Sequence, residues 1–252
     1  MGRGISVAFQ LAAFVLLVGS WVYLSIARPQ VQWVADLSIP PVRNQFFIVA
    51  AVCVLSIAAM WRGLNWRQLL IIFLGASLDA LVAHYFFKIP APVYLDVIGS
   101  VTVAVLLGPS AGAASAALSE LLNFPWRPHG VLFAIGSITI AWLAGYFTRI
   151  GGFSRLSLAA TSGFLIGAVS SMVYAPMQIL FAASLADEFD PRTFVIGDQV
   201  LSNWVGIFQD FTHPSDPLDK ALSCVLAYLL VRWLVQHKIV KPFKPIEKPI
   251  TQ

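Results

Sequence analysis

Apolar residues in this chain do not alternate with polar ones; they gather into seven long runs separated by short polar stretches. The runs are Ile5 to Ala27, Phe46 to Trp61, Gln68 to Phe87, Val93 to Leu122, Val131 to Phe147, Leu156 to Leu185 and Leu218 to Val235. Stretches of about 18 or more apolar residues predict membrane-spanning helices. Arg3 before the first run and Ser25-x-Ala27 after it faintly imitate a cleavable signal, but the run exceeds the 7 to 15 residues of a signal core and predicts a retained helix.

The fourth run is too long for one crossing. As one helix its thirty residues would measure about 45 Å against a hydrocarbon core of roughly 30 Å. Gly108-Pro109-Ser110-Ala111-Gly112 lies in its middle, and Gly-Pro punctuates regular structure. Two shorter helices joined by a tight turn follow, giving eight in all. Each half is short enough to require local thinning of the bilayer or burial against neighbours.

Loop charge supports the split, because Lys and Arg near helix ends concentrate on the cytoplasmic side. Arg232, Lys238, Lys241, Lys244 and Lys248 place the C-terminus inside. With eight helices Arg3, Arg62, Arg67, Arg149 and Arg155 are inside as well, and both termini are cytoplasmic; Arg28, Arg43, Lys88, Arg127 and Arg192 stand as outside exceptions. The loop Ala186 to Pro217 is then external, in keeping with its acidic residues. Within it Val200, Trp204, Phe208 and Phe211 recur at helical spacing, which predicts a short amphipathic helix on the interface, either a lid or a passive segment. The tail from Lys238, with Pro242, Pro245 and Pro249, reads as disordered and attracted to anionic lipid.

Composition agrees. The chain has 252 residues, 58% hydrophobic and only 11% charged, with a mean hydropathy of +0.80. Soluble domains carry about 25% charged residues, so a soluble enzyme, a disordered chain and a nucleic-acid binder are excluded. The formal charge of +4 reports basic loops and a basic tail. Cys53 and Cys224 sit inside apolar runs and indicate neither a disulfide framework nor a thiolate metal site. No His-Glu-x-x-His pair and no phosphate-binding Gly-x-x-x-x-Gly-Lys loop occurs, so no catalytic residue, metal or cofactor is assigned, and energy for any transport must come from elsewhere.

Ionisable groups inside helices are costly and mark cavities, partners or the bundle interior. Asp79, Asp96, Glu120, Asp219 and Lys220 fall at one depth toward the outer face. One reading is a set of interfacial charges in which Lys220 neutralises a carboxylate; the other is the polar rim of a solute site. Tyr94, Asn123, Trp126, His129, Tyr174 and Gln178 lie near the same level. Some belong to an aromatic belt in any case, yet the set has the mixture of apolar faces and orienting polar groups that a small-molecule pocket needs. Ala76-x-x-x-Ala80, like Gly163 and Gly167, leaves a shallow groove for close helix approach, within the chain or with a partner.

Asp96-Val97-Ile98-Gly99-Ser100, then Leu107-Gly108-Pro109-Ser110-Ala111-Gly112 and a small-residue helix ending Leu118-Ser119-Glu120-Leu121-Leu122, resemble the second and third helices of the substrate-binding S components of energy-coupling factor (ECF) transporters. Asp216-Pro217-Leu218-Asp219-Lys220 is similar to the entry of their last helix, and Ala76-x-x-x-Ala80 to the motif by which they dock on a coupling subunit. The resemblance covers about Arg67 to Gln236. It implies an all-α polytopic membrane protein, with residues 63–237 forming a six-helix S-component-like bundle, residues 1–62 an extra N-terminal helix pair and residues 238–252 a basic cytoplasmic tail. It further implies a bacterial or archaeal inner-membrane subunit that captures a vitamin-like micronutrient from outside. A separate coupling subunit and two ATPase chains would be its partners, with Ala76 and Ala80 as the docking face. The alternative from another class is a membrane-embedded sensory or scaffolding module without transport activity, which would call for an output domain longer than the 17 residues after Val235.

Overall fold

The computed structural model describes residues 2–27, 37–38, 40–61, 63–86, 94–185 and 215–240. Their regular structure is all helical, with no strand among the described residues. Eight α-helices occur in this part of the chain: α1 Gly2–Ala27, α2 Pro40–Ala58, α3 Trp66–Phe86, α4 Ile98–Leu107, α5 Pro109–Asn123, α6 Ala134–Arg149, α7 Leu156–Leu185 and α8 Ser215–Gln236, with a 3₁₀ turn at Pro128–Leu132. Segment 186–214, with its expected amphipathic helix, and the tail 241–252 lie outside the described residues, as do Arg28, Arg62, Lys88 and Arg192.

Four helices are long and apolar enough to cross a membrane: α1, α2, α3 and α7. The chain is therefore a helical membrane protein, but not eight equal spans. Helices α4, α5 and α6 have 10, 15 and 16 residues, below the roughly 20 that a bilayer requires. Helix α8 is long enough but carries Asp216, Asp219, Lys220 and Arg232.

The expected break at Gly108 is present. Gly108 has φ 97° and ψ 176°, a conformation open essentially to glycine alone. Its N–H donates to Ala104 O at 2.9 Å and its carbonyl accepts from Gly112 N–H at 3.1 Å, so one residue closes α4 and opens α5. Pro109 follows at the first helical position, where its missing N–H costs nothing. The chain reverses there: a Cβ on Gly112 would lie 2.5 Å from that of Ala104.

The hairpin is the centre of the bundle. Helix α4 packs against α3, α5, α6 and α8, and α5 against α2, α3, α4 and α6. Gly99 through Leu106 are buried without interruption, as are Pro109 through Ala117. Such runs leave no lipid-facing side, which is why short helices suffice. Small residues provide the close approach that drives association between helices in lipid. Gly75 and Gly99 bring α3 and α4 into backbone contact, Gly145 lets α6 touch Pro109, and Gly163 lies against the Lys220 carbonyl and Ala221.

One expectation changes. Ala76 and Ala80 are buried within the chain, on the α3 face that also carries Ile72, Asp79 and Ala83; this small-residue face is occupied internally rather than open to a partner. The N-terminal pair, α1 and α2, shares one apolar cluster with α5, α6 and α7 through Leu17, Val49, Ala117, Ile138 and Met177. Gln10 donates to Ser110 at 2.8 Å and Trp21 to the Val173 carbonyl at 2.9 Å.

Candidate functional site

Helices α4, α6 and α8 begin, and α5 finishes, toward the same end of the bundle, and the acidic and basic groups collect there. The structure sorts the five expected charges into two kinds. Asp79 belongs wholly to the fold. Its Oδ1 accepts from Gly99 N–H at 2.6 Å and its Oδ2 from Ser100 N–H at 2.7 Å. These are N–H groups of the first turn of α4, which have no intrahelical partner, and Val97 at the N-cap supplies no side chain to them. A carboxylate on α3 thus caps α4, where the positive end of the helix dipole favours it.

Asp219 is likewise a clamp. Its Oδ1 accepts from the N–H groups of Tyr94 and Leu95 at 2.9 and 3.0 Å, and its Oδ2 from Lys220 Nζ at 2.6 Å. Leu95 is held at φ 55°, so α4 starts at Ile98 rather than near Val93. Lys220 also donates to Asp96 at 2.9 Å. The lysine side chain is buried, whereas that of Asp96 retains 24% exposure. Burial alone would raise the Asp96 carboxyl, but the Lys220 ammonium outweighs it and holds it below the usual carboxylate range.

Glu120 sits differently. Its Oε1 accepts from Ser137 Oγ of α6 at 2.7 Å, and Ser137 lies 3.2 Å from the Tyr174 hydroxyl of α7. A Cβ on Gly136 would overlap the Tyr174 ring, so glycine at that position is what seats the phenol beside Ser137. The second oxygen, Oε2, faces Gly130, where an added Cβ would lie 3.3 Å away. Arg127, just ahead of the 3₁₀ turn, interacts electrostatically with Glu120 and Asp96. Asn123 is buried, and its Oδ1 has no hydrogen-bond partner among the described residues. This group has the parts of a solute site: a carboxylate with an open oxygen, a guanidinium, a phenol and an unsatisfied amide carbonyl.

Of the ten residues expected at the site, Asp96, Glu120, Asn123, Tyr174 and Lys220 fall in or beside this group, and Asp219 supports it. Trp126 does not; it is 63% exposed and stands edge-on to His84 at 5.5 Å, as a belt aromatic would. Tyr94 contributes its backbone N–H, with a side chain 41% exposed. His129 lies on the 3₁₀ turn and Gln178 on α7, and their side chains are outside the described residues. Arg127 and Ser137 were missed. Arg127 did leave a signal, as a basic residue on the wrong side of the positive-inside pattern. Ser137 left none, because serines are frequent in these helices. No group of three or more potential metal ligands occurs among the described residues.

Comparisons of the chain with protein-family models, with curated proteins and with solved structures find no match.

Proposed function

We propose that this chain is the solute-capturing subunit of an ECF-type importer, taking up a small vitamin-like micronutrient from the outer face of a bacterial or archaeal cytoplasmic membrane. Both termini are cytoplasmic in this reading, and a separate coupling subunit and two ATPase chains drive release. The observation that carries it is the convergence of Asp96, Glu120, Asn123, Arg127 and Tyr174 from α5, α7 and two loops onto one end of an otherwise apolar bundle. The capped Gly108 hairpin, on which the sequence resemblance rests, supports it too. Capture is a binding event and needs no covalent step.

The Asp96–Lys220–Asp219 bridge favours a second reading, a membrane scaffold whose charges only hold helices together. Mass spectrometry of small molecules retained by the detergent-purified protein separates the two. A retained solute that is lost on substituting Glu120 supports capture; no retained solute, with binding of candidate micronutrients absent in both wild type and variants, leaves the scaffold. Co-purification of an ATPase pair tests the partners in the same preparation.

A further inference from the structure

A cavity lined by residues other than those of the polar group runs along the lipid side of the bundle between α1, α6 and α7. It has a volume of about 720 Å³. Val7, Leu11, Phe14 and Val18 of α1 form one wall, and Trp142 and Leu143 of α6 the other. Phe14 meets Trp142 with ring centroids 5.6 Å apart. From Val7 to Trp21 the lined stretch of α1 is about 21 Å long, which covers most of one bilayer leaflet and part of the next. The wall is almost wholly apolar, and α1 is a membrane-crossing helix, so the medium against the groove is hydrocarbon.

The groove is not symmetric along its length. At the end where α6 finishes, its lining residue Tyr146 carries the Arg149 guanidinium over its ring at 5.2 Å. Arg149 is the last residue of α6, and Arg155 follows in the exposed turn before α7. No acidic residue lies between Glu120 and Asp187 in the sequence, so nothing on that turn neutralises them. An apolar channel ending at an arginine at the helix terminus fits a molecule with a long apolar chain and an anionic head.

We infer that this groove binds an anionic phospholipid, with one acyl chain along α1 and α6 and the headgroup phosphate at Arg149. The aromatic stack on Tyr146 holds the guanidinium at the mouth, where a phosphate can take paired N–H donors. The site is independent of solute capture. It also gives helix α1 a role, since α1 supplies one whole wall.

The test is purification from an equimolar mixture of phosphatidylglycerol and phosphatidylcholine, followed by quantification of the lipid that remains bound. Wild type is expected to keep phosphatidylglycerol in preference by about fivefold, the value of one basic side chain near a membrane surface. Arg149→Gln should bring the ratio close to one, and Arg149→Lys should restore most of it. Leu11→Trp, at an exposed groove position, should reduce retention of both lipids. An unchanged ratio in Arg149→Gln, or undiminished retention in Leu11→Trp, would overturn the assignment.

Discussion

Asp79 and Glu120 are both carboxylates within an apolar bundle, at neighbouring helix contacts, yet they are bound in opposite ways. At the α3–α4 contact, both Asp79 oxygens are taken by backbone N–H groups that no other acceptor serves. At the α5–α6–α7 contact, Glu120 is held through one oxygen by a side-chain hydroxyl, itself shared with Tyr174. Burial of a charge therefore does not announce its purpose; the identity of its donors does. Backbone donors make the group part of the scaffold, whereas a lone hydroxyl leaves acceptor capacity within the field of a guanidinium.

The contrast is breakable. Asp79→Ala should cost the most stability, about 2 to 6 kcal/mol, because two buried N–H groups lose their acceptor at about 1 to 3 kcal/mol each. Reversible unfolding in mixed micelles measures this, while solute affinity per folded molecule should stay as in wild type. Glu120→Gln should do the reverse, weakening solute binding by about ten- to a hundredfold, the worth of a charged hydrogen bond, with unfolding shifted by less than about 1 kcal/mol. If Glu120→Gln unfolds the protein and leaves binding intact, the distinction collapses.

Smaller effects sharpen it. Gly136→Ala should displace the Tyr174 ring at a cost of about 1 to 3 kcal/mol, the usual range for overpacking. Its signature would be weaker solute binding beside an unchanged Asp79 contact, read from slow amide exchange at Gly99 and Ser100. The smallest effect concerns acid. Because the Asp96 carboxyl is held below its ordinary value of 3.8, the bridge to Lys220 contributes fully above that pH and is lost as pH falls through the lowered native value. Asp96→Asn should flatten the acid limb of the stability curve, and thermal unfolding across that range checks it.

Much of the fold was legible because it follows from one-dimensional quantities. Run length marked α1, α2, α3 and α7, and Gly108-Pro109 inside an overlong run marked the hairpin. The gathering of Asp96, Glu120 and Lys220 at one level followed from their positions along helices. What helical position cannot give is direction around the axis. Ala76 and Ala80 offered a smooth face, but which way it turned depended on Gly75 meeting Gly99. Asp79 looked like Glu120 until α4 delivered its N–H groups to one and not to the other. The late start of α4 depends on Asp219, 124 residues from Leu95, a separation no local pattern reports. The lipid-side groove depends on the gap between two helices distant in sequence.

The cap that Asp79 places on α4 has a consequence for how the protein is made. Helix α3 is apolar enough to enter the membrane as soon as it leaves the ribosome, but it carries a carboxylate whose insertion costs about 2.5 to 3.5 kcal/mol. The groups that satisfy it lie 20 residues later in the chain, or about 1 to 4 s at ordinary rates of synthesis. During that interval Asp79 must wait unpaired at the translocation channel, and α4, too short to be recognised as a span, arrives with its acceptor already in place. The third helix thus acts as a template for admitting the fourth, and the two are expected to leave the channel together.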